Sequence, residues 1–404
     1  MRLSPIVGAP RQTSYDVVIV GGAIIGSSVA WFLATNHDFD GSILVIERDP
    51  SYQKCSTSHT NSCMRQQFSN ELNIEISQFA ADFVRNFGEY MGNDPEVPEI
   101  YVNHYGYMYL AGDEAFAQTL RTNQRIQESL GAGTKIMSPG EIKTAYPFYN
   151  VDDIVCGSHN LIDEGYFDSG TMFDWFRRKA RSYGAEYLEN EVVAINVDGD
   201  RATGVQLGSG ETISCGTVVN AAGPSASIVA KMAGLSLPVE PRKRFTFVFD
   251  CAESLGADLP LTIDPSGVHV RSEGDAYMTG CAPLVDDPVE IGDFAVDPDI
   301  FEAKVWPVLA HRVPAFERIK VQTRWAGHYS YNTFDQNVIV GPHTEVGNFV
   351  FANGFSGHGL QQSPAIGRAV AELVVYGAYR ALDLSPLGFQ RIAPAEPFLE
   401  TAII

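Results

Sequence analysis

The apolar pattern along the first fifty residues predicts a strand, a turn, a helix and a second strand. Residues 15–20 form a continuous apolar run, which is typical of a parallel strand that is buried on both faces. A turn with three glycines follows, an apolar helix extends through Phe32, and a second strand covers Ser42 to Ile46. The chain is therefore expected to begin with a βαβ unit.

The rest of the chain alternates between helical and extended patterns. Helical periodicity recurs at 72–90, in a stretch ending near 130, at 171–183 and at 364–376. Extended patterns occur at 101–110, 192–197, 202–207, 212–219, 338–340 and 349–351, with aromatic and β-branched strands between 238 and 280. This order predicts an α/β (α+β) protein in which a nucleotide-type unit surrounds a mixed or antiparallel sheet.

Composition narrows the class of protein. The chain has 404 residues, of which 45% are hydrophobic and 19% are charged, as in an ordinary globular protein of two lobes. Its formal net charge of -21 argues against a nucleic-acid partner. Six scattered cysteines lack metal-ligand spacing, so we expect reduced thiols, no metal site and a cytoplasmic location. Glycines interrupt the apolar run 17–33, so no membrane span is expected.

The turn after the first strand reads Gly21-Gly22-Ala23-Ile24-Ile25-Gly26 and opens the first helix. Glycines at such a turn let a pyrophosphate approach the backbone and the positive end of the helix. Ala23 stands where the central glycine is usual. Glu47, 21 positions after Gly26, ends the second strand, where an acid accepts the ribose hydroxyls. The alternative is a turn that only packs a helix on a strand.

Two further segments distinguish FAD from NAD. An apolar strand runs into the small residues Ala221-Ala222-Gly223, which let the chain pass close to a cofactor. The stretch from Gly354 to Pro364 opens the last helix, and its backbone N–H groups would face the flavin edge that becomes negative on reduction. Without further information this stretch is also compatible with a simple helix-starting loop. It disfavours an NAD(P)-dependent dehydrogenase.

These three segments, in this order and spacing, resemble the D-amino-acid-oxidase superfamily, which includes sarcosine oxidase, dimethylglycine dehydrogenase and glycine oxidase. A closer resemblance along nearly the whole chain is to the family of FAD-dependent oxidoreductase domain proteins, whose mitochondrial member is a respiratory complex I assembly factor. The stretches that carry it are 65–69, 163–168, 237–244, 304–317, 331–337 and 355–364.

The resemblance implies a glutathione-reductase-like Rossmann domain for FAD and a second domain over the flavin ring. We expect the FAD domain at 14–90, 150–236 and 325–385, the substrate domain at 91–149 and 237–324, and peripheral tails at 1–13 and 386–404. The predicted cofactor-binding residues are Gly21, Gly22, Ala23, Ile25, Gly26, Glu47, Arg48, Ser56, Thr57, His59, Val192, Val193, Ala221, Ala222, Gly223, Gly354, Phe355, Ser356, Gly357, His358, Gly359, Leu360 and Gln361.

The resemblance also implies oxidation of a C–N bond, with hydride passing from the carbon next to an amine to FAD. Arg65 matches the arginine that holds the substrate carboxylate in the sarcosine-oxidase branch, which predicts a small amine or amino acid as substrate. The alternative is a surface or pyrophosphate-facing arginine. Gln361 replaces the second carboxylate ligand of that branch, a lysine. The candidate catalytic residues are Arg65, Gln361, His328 and Tyr329. Tyr331 and Asp335 are weaker candidates.

At two places that concern the flavin itself, this sequence departs from the pattern of the related enzymes. His59 lies where the dimethylglycine dehydrogenase branch attaches FAD covalently, but its surroundings differ, so we expect non-covalent FAD and keep a link through His59 as the alternative. The lysine that activates oxygen in sarcosine oxidase has no counterpart between Lys243 and Lys304. Electrons are therefore expected to leave to a quinone or an electron-transfer protein more readily than to oxygen, and an oxidase that uses oxygen is the alternative.

A second possible function, from a different class, is assistance in the assembly of a respiratory complex, as the closer resemblance suggests. The protein would then be a flavoprotein with little catalytic turnover. In that case the protein would lie at the periphery of an inner membrane. Arg65 favours the enzyme, because the mitochondrial relative lacks an arginine there.

Overall fold

The computed structural model describes residues 5–401 as two large β-sheets with helices packed against them. The strands are β1 (Ser14–Val20), β2 (Ile43–Glu47), β3 (Cys63–Met64), β4 (Val102–Asn103), β5 (Tyr107–Ala111), β6 (Lys135–Met137), β7 (Cys156–Asn160), β8 (Gly165–Phe167), β9 (Glu186–Glu189), β10 (Val192–Asp198), β11 (Arg201–Leu207), β12 (Thr212–Asn220), β13 (Val239–Cys251), β14 (Leu261–Ile263), β15 (His269–Glu273), β16 (Ala276–Cys281), β17 (Ile319–Asn332), β18 (Ile339–Pro342) and β19 (Phe349–Asn353). The α-helices are α1 (Ile24–Ala34), α2 (Glu71–Arg85), α3 (Phe87–Tyr90), α4 (Glu114–Ser129), α5 (Pro139–Ala145), α6 (Ser169–Ser182), α7 (Ala226–Met232), α8 (Trp306–Arg312) and α9 (Gly359–Tyr376).

The first sheet confirms the predicted βαβ unit. Its strands run in the order β10-β11-β12-β1-β2-β9, and β19 pairs with β12 and with β18. β1 lies parallel to β2 and β12. Val17 and Ile19 pack against the helices α1, α6 and α9, whereas Val18 and Val20 pack on the opposite face with α7. Both faces of β1 are buried, which explains its unbroken apolar run.

The second sheet runs in the order β17-β13-β16-β15-β14-β5-β7-β6 and is antiparallel except where β14 meets β5. The residues of β13 alternate between its two faces. Phe245, Phe247 and Phe249 pack into a core with α8, whereas Arg244 and Thr246 line a cavity on the other face. The predicted fold class, a Rossmann-type unit with a second mixed sheet, is confirmed.

Two strands lie in a different sheet from the one that the predicted boundaries imply. β7 falls within 150–236 but pairs with β5 and β6 in the second sheet. β17 crosses the predicted boundary at 325 and pairs with β13 from Ile319 to Asn332. β17 is an edge strand with many polar and charged residues, so it lacks the apolar signal of a central strand. His328, Tyr329 and Tyr331 therefore lie within this strand.

Both predicted tails make specific contacts with the rest of the fold. Val7 forms a parallel bridge with Leu188. Near the other end, Leu387 and Phe389 are buried among core residues. Glu400 is fully buried and accepts hydrogen bonds from Ser69, Asn70 and Asn73 at the start of α2. Residues 1–4 and 402–404 lie outside the described part of the chain.

Helix α9 begins at Gly359, five positions before the predicted start at 364. Pro364 lies inside the helix and cannot donate to the carbonyl of Leu360. The hydroxyl of Ser363 donates to that carbonyl at 2.8 Å, so the oxygen keeps a partner. None of the helices in residues 5–401 has both the length and the apolar character that crossing a membrane requires.

Arg391 and Asp335 form a buried ion pair that attaches the C-terminal segment, with N–O distances of 2.6 and 3.0 Å. We expect Arg391→Ala to lower the free energy of unfolding by about 3–5 kcal/mol, because it leaves an uncompensated carboxylate in the core. Urea unfolding followed by circular dichroism measures this. As a control, Arg318→Ala breaks the exposed pair with Glu253 and should leave stability nearly unchanged. Equal losses in the two variants would contradict the interpretation.

Candidate functional site

A cavity of about 790 Å³ lies where the start of α1, the start of α9 and the inner face of the second sheet meet. Gly21, residues 23–25 and residues 355–361 line it from the two helix starts. Arg244, Thr246 and His269 line it from the second sheet. Its volume is in the range typical of cofactor and substrate sites. Segments far apart in the sequence therefore form one site.

The turn before α1 depends on its glycines. Gly21 has a φ of +100°, and a Cβ on it would lie 2.5 Å from the carbonyl oxygen of Ala221. A Cβ on Gly26 would overlap the carbonyl oxygen of Gly21. Ala23, at the helix N-cap, supplies no side-chain cap, and the first turn of α1 holds no acidic residue. The positive end of α1 can therefore accept an anionic group from the cavity.

Glu47 ends β2 beside this turn. One carboxylate oxygen accepts a hydrogen bond from the backbone N–H of Gly22 at 2.9 Å, and the other accepts from the backbone N–H of Asp49 at 2.9 Å. Burial raises the pKa of Glu47, and these two donors oppose that shift. Arg48 and Val192 line the cavity nearby. This arrangement suits the predicted contact with ribose hydroxyls.

Residues 56–59 form a short 3-10 helix that contacts both the start of α1 and strand β17. The hydroxyl of Ser56 donates to the carbonyl of His328 at 2.6 Å, and Thr57 accepts from the backbone N–H of Ile24 at 3.4 Å. His59 donates from Nδ1 to the carbonyl of Cys55 at 3.1 Å, and burial lowers the pKa of its imidazole. A Cβ on Gly327 would lie 2.7 Å from the Cβ of His59, so β17 approaches this helix closely.

Arg65 is buried against the start of α9. Its Nη2 donates to Nε2 of His358 at 2.8 Å, and its Nη1 donates to the carbonyl of Gln67. The guanidinium lies 4.2 Å from the centre of the Phe68 ring. Burial and the charge of Arg65 hold the pKa of His358 well below its usual value, so this imidazole is a neutral acceptor. Gln361 accepts from the backbone N–H of Arg65 at 2.8 Å.

His328 and Tyr329 reach the cavity from β17. His328 stacks on Phe294 at 4.3 Å and donates from Nε2 to the carbonyl of Asp293 at 2.8 Å. Burial lowers the pKa of His328 and raises the pKa of Tyr329. Both side chains are therefore uncharged near neutral pH, and neither is a strong base.

Most of the predicted site residues line the cavity, but not all do. Gly22, Gly26 and Gly354 shape the backbone around it without lining it, and Val193 is 47% exposed on the outside of β10. Of the weaker candidates, Tyr331 lies under Arg242 and Asp335 pairs with Arg391, both away from the cavity. The prediction did not include the following lining residues: Asn61, Cys63, Tyr107, Arg244, Thr246, Leu261, His269 and Phe294. They come from separate strands and loops and form no local motif.

Residues 16–373 match the family described as FAD dependent oxidoreductase. The chain belongs to this family. It is 42% identical to FAD-dependent oxidoreductase domain-containing protein 1 of Xenopus laevis, over 96% of this chain and 85% of that protein. It is 25% identical to mitochondrial sarcosine dehydrogenase of Homo sapiens, over 91% of this chain and 40% of that protein. These relationships confirm the resemblance and identify FAD as the cofactor.

Among solved structures, L-proline dehydrogenase from P. horikoshii superimposes with a TM-score of 0.83 at 26% identity, covering 95% of this chain and 99% of that one. Glycine oxidase from Geobacillus kaustophilus superimposes with a TM-score of 0.78, over 93% of this chain and 98% of that one. At 21% identity the second match supports the fold alone.

The residues present fit FAD. The uncapped start of α1 suits the pyrophosphate, Glu47 suits the ribose, and the start of α9, where His358 supplies no side-chain cap, faces the same cavity. When bound, FAD supplies a two-electron acceptor for hydride. The protein residues supply binding and orientation.

Gly26 is the position where a side chain would most directly disturb this site. We expect Gly26→Ala to fold but to purify with little or no flavin, because its Cβ would push the turn at Gly21 out of position. The ratio of flavin to protein absorbance measures this. Gly140→Ala, in the open first turn of α5, is the matched control and should retain full flavin. A Gly26→Ala protein with normal flavin content would contradict the assignment.

Proposed function

We propose that this protein uses FAD to oxidise the C–N bond of a small amine or an N-methyl amino acid. The observation that carries the proposal is the position of Arg65, a buried cation that lines the cavity. It contacts His358 in the flavin motif, the stretch from Gly354 to Pro364. In the reaction the carbon next to the nitrogen gives up a hydride, and the nitrogen lone pair forms the C=N bond. When bound, FAD would supply the acceptor for this hydride, and the product would leave as an iminium ion, or as an imine once an N–H proton is lost to water.

Arg65 is well suited to hold a substrate carboxylate. A guanidinium matches a carboxylate in shape and charge, and the attraction is stronger inside a cavity than in water. Gln361 fixes its backbone, and Phe68 lies against the face of its guanidinium. The amino acid would thus be oriented by its carboxylate, with the reacting carbon placed by the cavity walls.

His328, Tyr329 and Gln361 are proposed to position groups rather than to transfer protons. The uncharged His328 donates a hydrogen bond from Nε2 to the carbonyl of Asp293, and Gln361 accepts one from the backbone N–H of Arg65. Tyr329 packs against Gly357, where a Cβ would lie 2.7 Å from its ring. Hydride transfer from a neutral amine needs no acid–base pair beyond placement.

A second candidate is a flavoprotein with little turnover that assists assembly of a respiratory complex. The observation that favours it is that Arg65 already donates to Gln67 and His358 within the protein, as a structural arginine would. The 42% identity to FAD-dependent oxidoreductase domain-containing protein 1 is compatible with either candidate.

Anaerobic mixing of the purified flavoprotein with L-, D- and N-methyl amino acids separates the two candidates. Bleaching of the flavin by at least one compound supports the enzyme, whereas a flavin that no compound reduces supports the non-catalytic alternative.

We further propose that FAD is bound non-covalently. Acid precipitation tests this, because flavin in the supernatant supports it and flavin on the pellet would point to His59.

For Arg65 we expect Arg65→Ala to raise KM for the best amino acid at least about tenfold with FAD still bound, because the carboxylate loses its charged partner. Steady-state kinetics and the flavin content measure this. Arg65→Lys is the matched control. Its KM should lie between those of the wild type and Arg65→Ala, since lysine keeps the positive charge but not the fork of donors. Unchanged kinetics in Arg65→Ala would exclude the role.

The electron acceptor is proposed to be something other than oxygen. Among the described residues, Lys54 is the one lysine that lines the cavity, and no lysine of the second sheet does so. Lys243 of β13 pairs with Asp293 at 2.6 Å, and Lys304, before α8, donates to the carbonyl of Ala282. A cation near the reduced ring would favour superoxide. We therefore expect an artificial dye or a quinone to support turnover at least about tenfold faster than air. Equal rates in a stopped-flow reoxidation assay would contradict this.

A further inference from the structure

Tyr107 presents an unpaired hydroxyl to the cavity beside Arg65. The residue lines the cavity and is otherwise buried, with a relative exposure of 5%. In the part of the chain that the structure describes, its hydroxyl makes no hydrogen bond. The oxygen keeps accessible surface, in contrast to the fully enclosed hydroxyl of Tyr109 two residues along β5. Since Tyr107 meets open space at the cavity, its hydroxyl is accessible to a molecule bound there.

The position of Tyr107 is tied to the segment that carries Arg65. The backbone carbonyl of Tyr107 accepts a hydrogen bond from Nε2 of Gln67 at 3.2 Å. Tyr107 also pairs with Leu261 of β14, which lines the cavity too. The guanidinium carbon of Arg65 lies 6.0 Å from the centre of the Tyr107 ring. The phenol and the guanidinium are therefore neighbouring parts of one cavity wall.

The hydroxyl of Tyr107 is a hydrogen-bond donor at physiological pH. Burial raises the pKa of Tyr107 well above its usual value, and the charge of Arg65 only opposes this shift. The phenol therefore keeps its proton and can donate it to an anionic acceptor.

Arg65 uses part of its donor capacity within the protein. Its Nη1 donates to the carbonyl of Gln67 and its Nη2 donates to Nε2 of His358. A carboxylate has two oxygens, and each can accept more than one hydrogen bond. Because an acceptor that leaves water without new partners loses free energy, a carboxylate beside Arg65 gains from a further donor on the cavity wall.

We infer that the hydroxyl of Tyr107 donates a hydrogen bond to the substrate carboxylate and, together with Arg65, fixes its orientation. The inference rests on the carboxylate-binding role proposed for Arg65 and refines it. The carboxylate is then held by one cation and one neutral donor from different segments of the chain, and Tyr107 is a substrate-binding residue that no sequence motif indicates.

Tyr329 also lines the cavity, but its surroundings suit a carboxylate less well. Its ring lies 4.6 Å from the guanidinium carbon of Arg244. Arg244 pairs with Asp286 at 2.8 and 3.0 Å, so the positive charge there is already compensated. The charge of Arg65 therefore directs the carboxylate to the side of the cavity that holds Tyr107.

Tyr107→Phe removes one oxygen atom and tests the inference on the full-length flavoprotein. Acetate is the probe, and ligand-observed saturation-transfer NMR measures its Kd without any turnover. We expect Tyr107→Phe to weaken acetate binding at least about tenfold, because a hydrogen bond to an ionised acceptor is one of the stronger kinds. Arg65→Ala should weaken it as well.

Steady-state kinetics with the best amino acid give a second measurement. Tyr107→Phe should raise KM at least about tenfold with kcat nearly unchanged, since the carboxylate contact is the same before and during hydride transfer. Adding Tyr107→Phe to Arg65→Ala should change KM by less than about twofold, because the carboxylate is no longer held beside the hydroxyl. A general loss of packing would not depend on Arg65 in this way.

Tyr109→Phe is the matched control. Tyr109 lies on the same strand, and its ring centre is 5.5 Å from the guanidinium carbon of Arg65, but its enclosed hydroxyl does not line the cavity. This variant should keep the wild-type Kd for acetate and the wild-type KM. Melting temperature and flavin content show whether each variant folds and holds FAD.

The possible results separate the inference from the proposed function. If Tyr107→Phe keeps the wild-type Kd and KM, or if Tyr109→Phe or Tyr329→Phe causes the loss instead, the inference is wrong, while reduction of the flavin by an amino acid still supports the proposed function. If acetate does not bind the wild type, the inference is also wrong. If acetate binding depends on Arg65 and Tyr107 but no amino acid reduces the flavin, the carboxylate site stands and the proposed reaction fails.

Discussion

The site depends on a close contact between α1 and α9. A Cβ on Gly367 would lie 2.8 Å from the carbonyl carbon of Ser28, so only glycine allows this approach. The hydroxyl of Ser28 donates to the carbonyl of Ser363 at 2.8 Å, which ties the two helices together near their starts. Because the helices touch here, both of their positive ends open on one cavity. The cofactor-binding turn and the flavin motif, more than 300 residues apart, therefore act as one site.

The parts of the fold and site that could be predicted were those with local signals. The turn at Gly21–Gly26 has its strand, its helix and Glu47 within one short segment, and each element carries its own pattern. The flavin motif was equally compact, although Pro364 hid the true start of α9, because the compensating hydroxyl of Ser363 cannot be inferred from propensity.

The parts that could not be predicted depend on tertiary contacts. β17 has the composition of an exposed segment and becomes a strand because β13 provides an edge for it. The C-terminal segment appears peripheral until Arg391 is seen to neutralise Asp335 inside the core. Asn61 and His269, which both line the cavity, are 208 positions apart, yet their side chains form a hydrogen bond of 2.7 Å, and neither lies in a recognisable motif. Contacts between single side chains far apart in the sequence produce no periodic pattern, so one sequence alone does not predict them.

Electrostatics inside the cavity differ from those of the whole molecule. The formal net charge is -21, yet a buried guanidinium, Arg65, lines the site. Burial lowers the pKa values of the cavity histidines His59, His269, His328 and His358, so they remain neutral at physiological pH. At neutral pH the positive charge of Arg65 is therefore not joined by charges on these four imidazoles.

The position of α9 also constrains when this protein can acquire its cofactor during synthesis. A ribosome delivers the N-terminal βαβ unit early, but the helix that completes the cavity is not translated until residue 376, and Arg391 and Glu400 follow later still. A nascent chain can therefore form the nucleotide-binding turn but not the complete cavity. The complete cavity for FAD therefore exists only after α9 and the segment that holds Arg391 and Glu400 have been made.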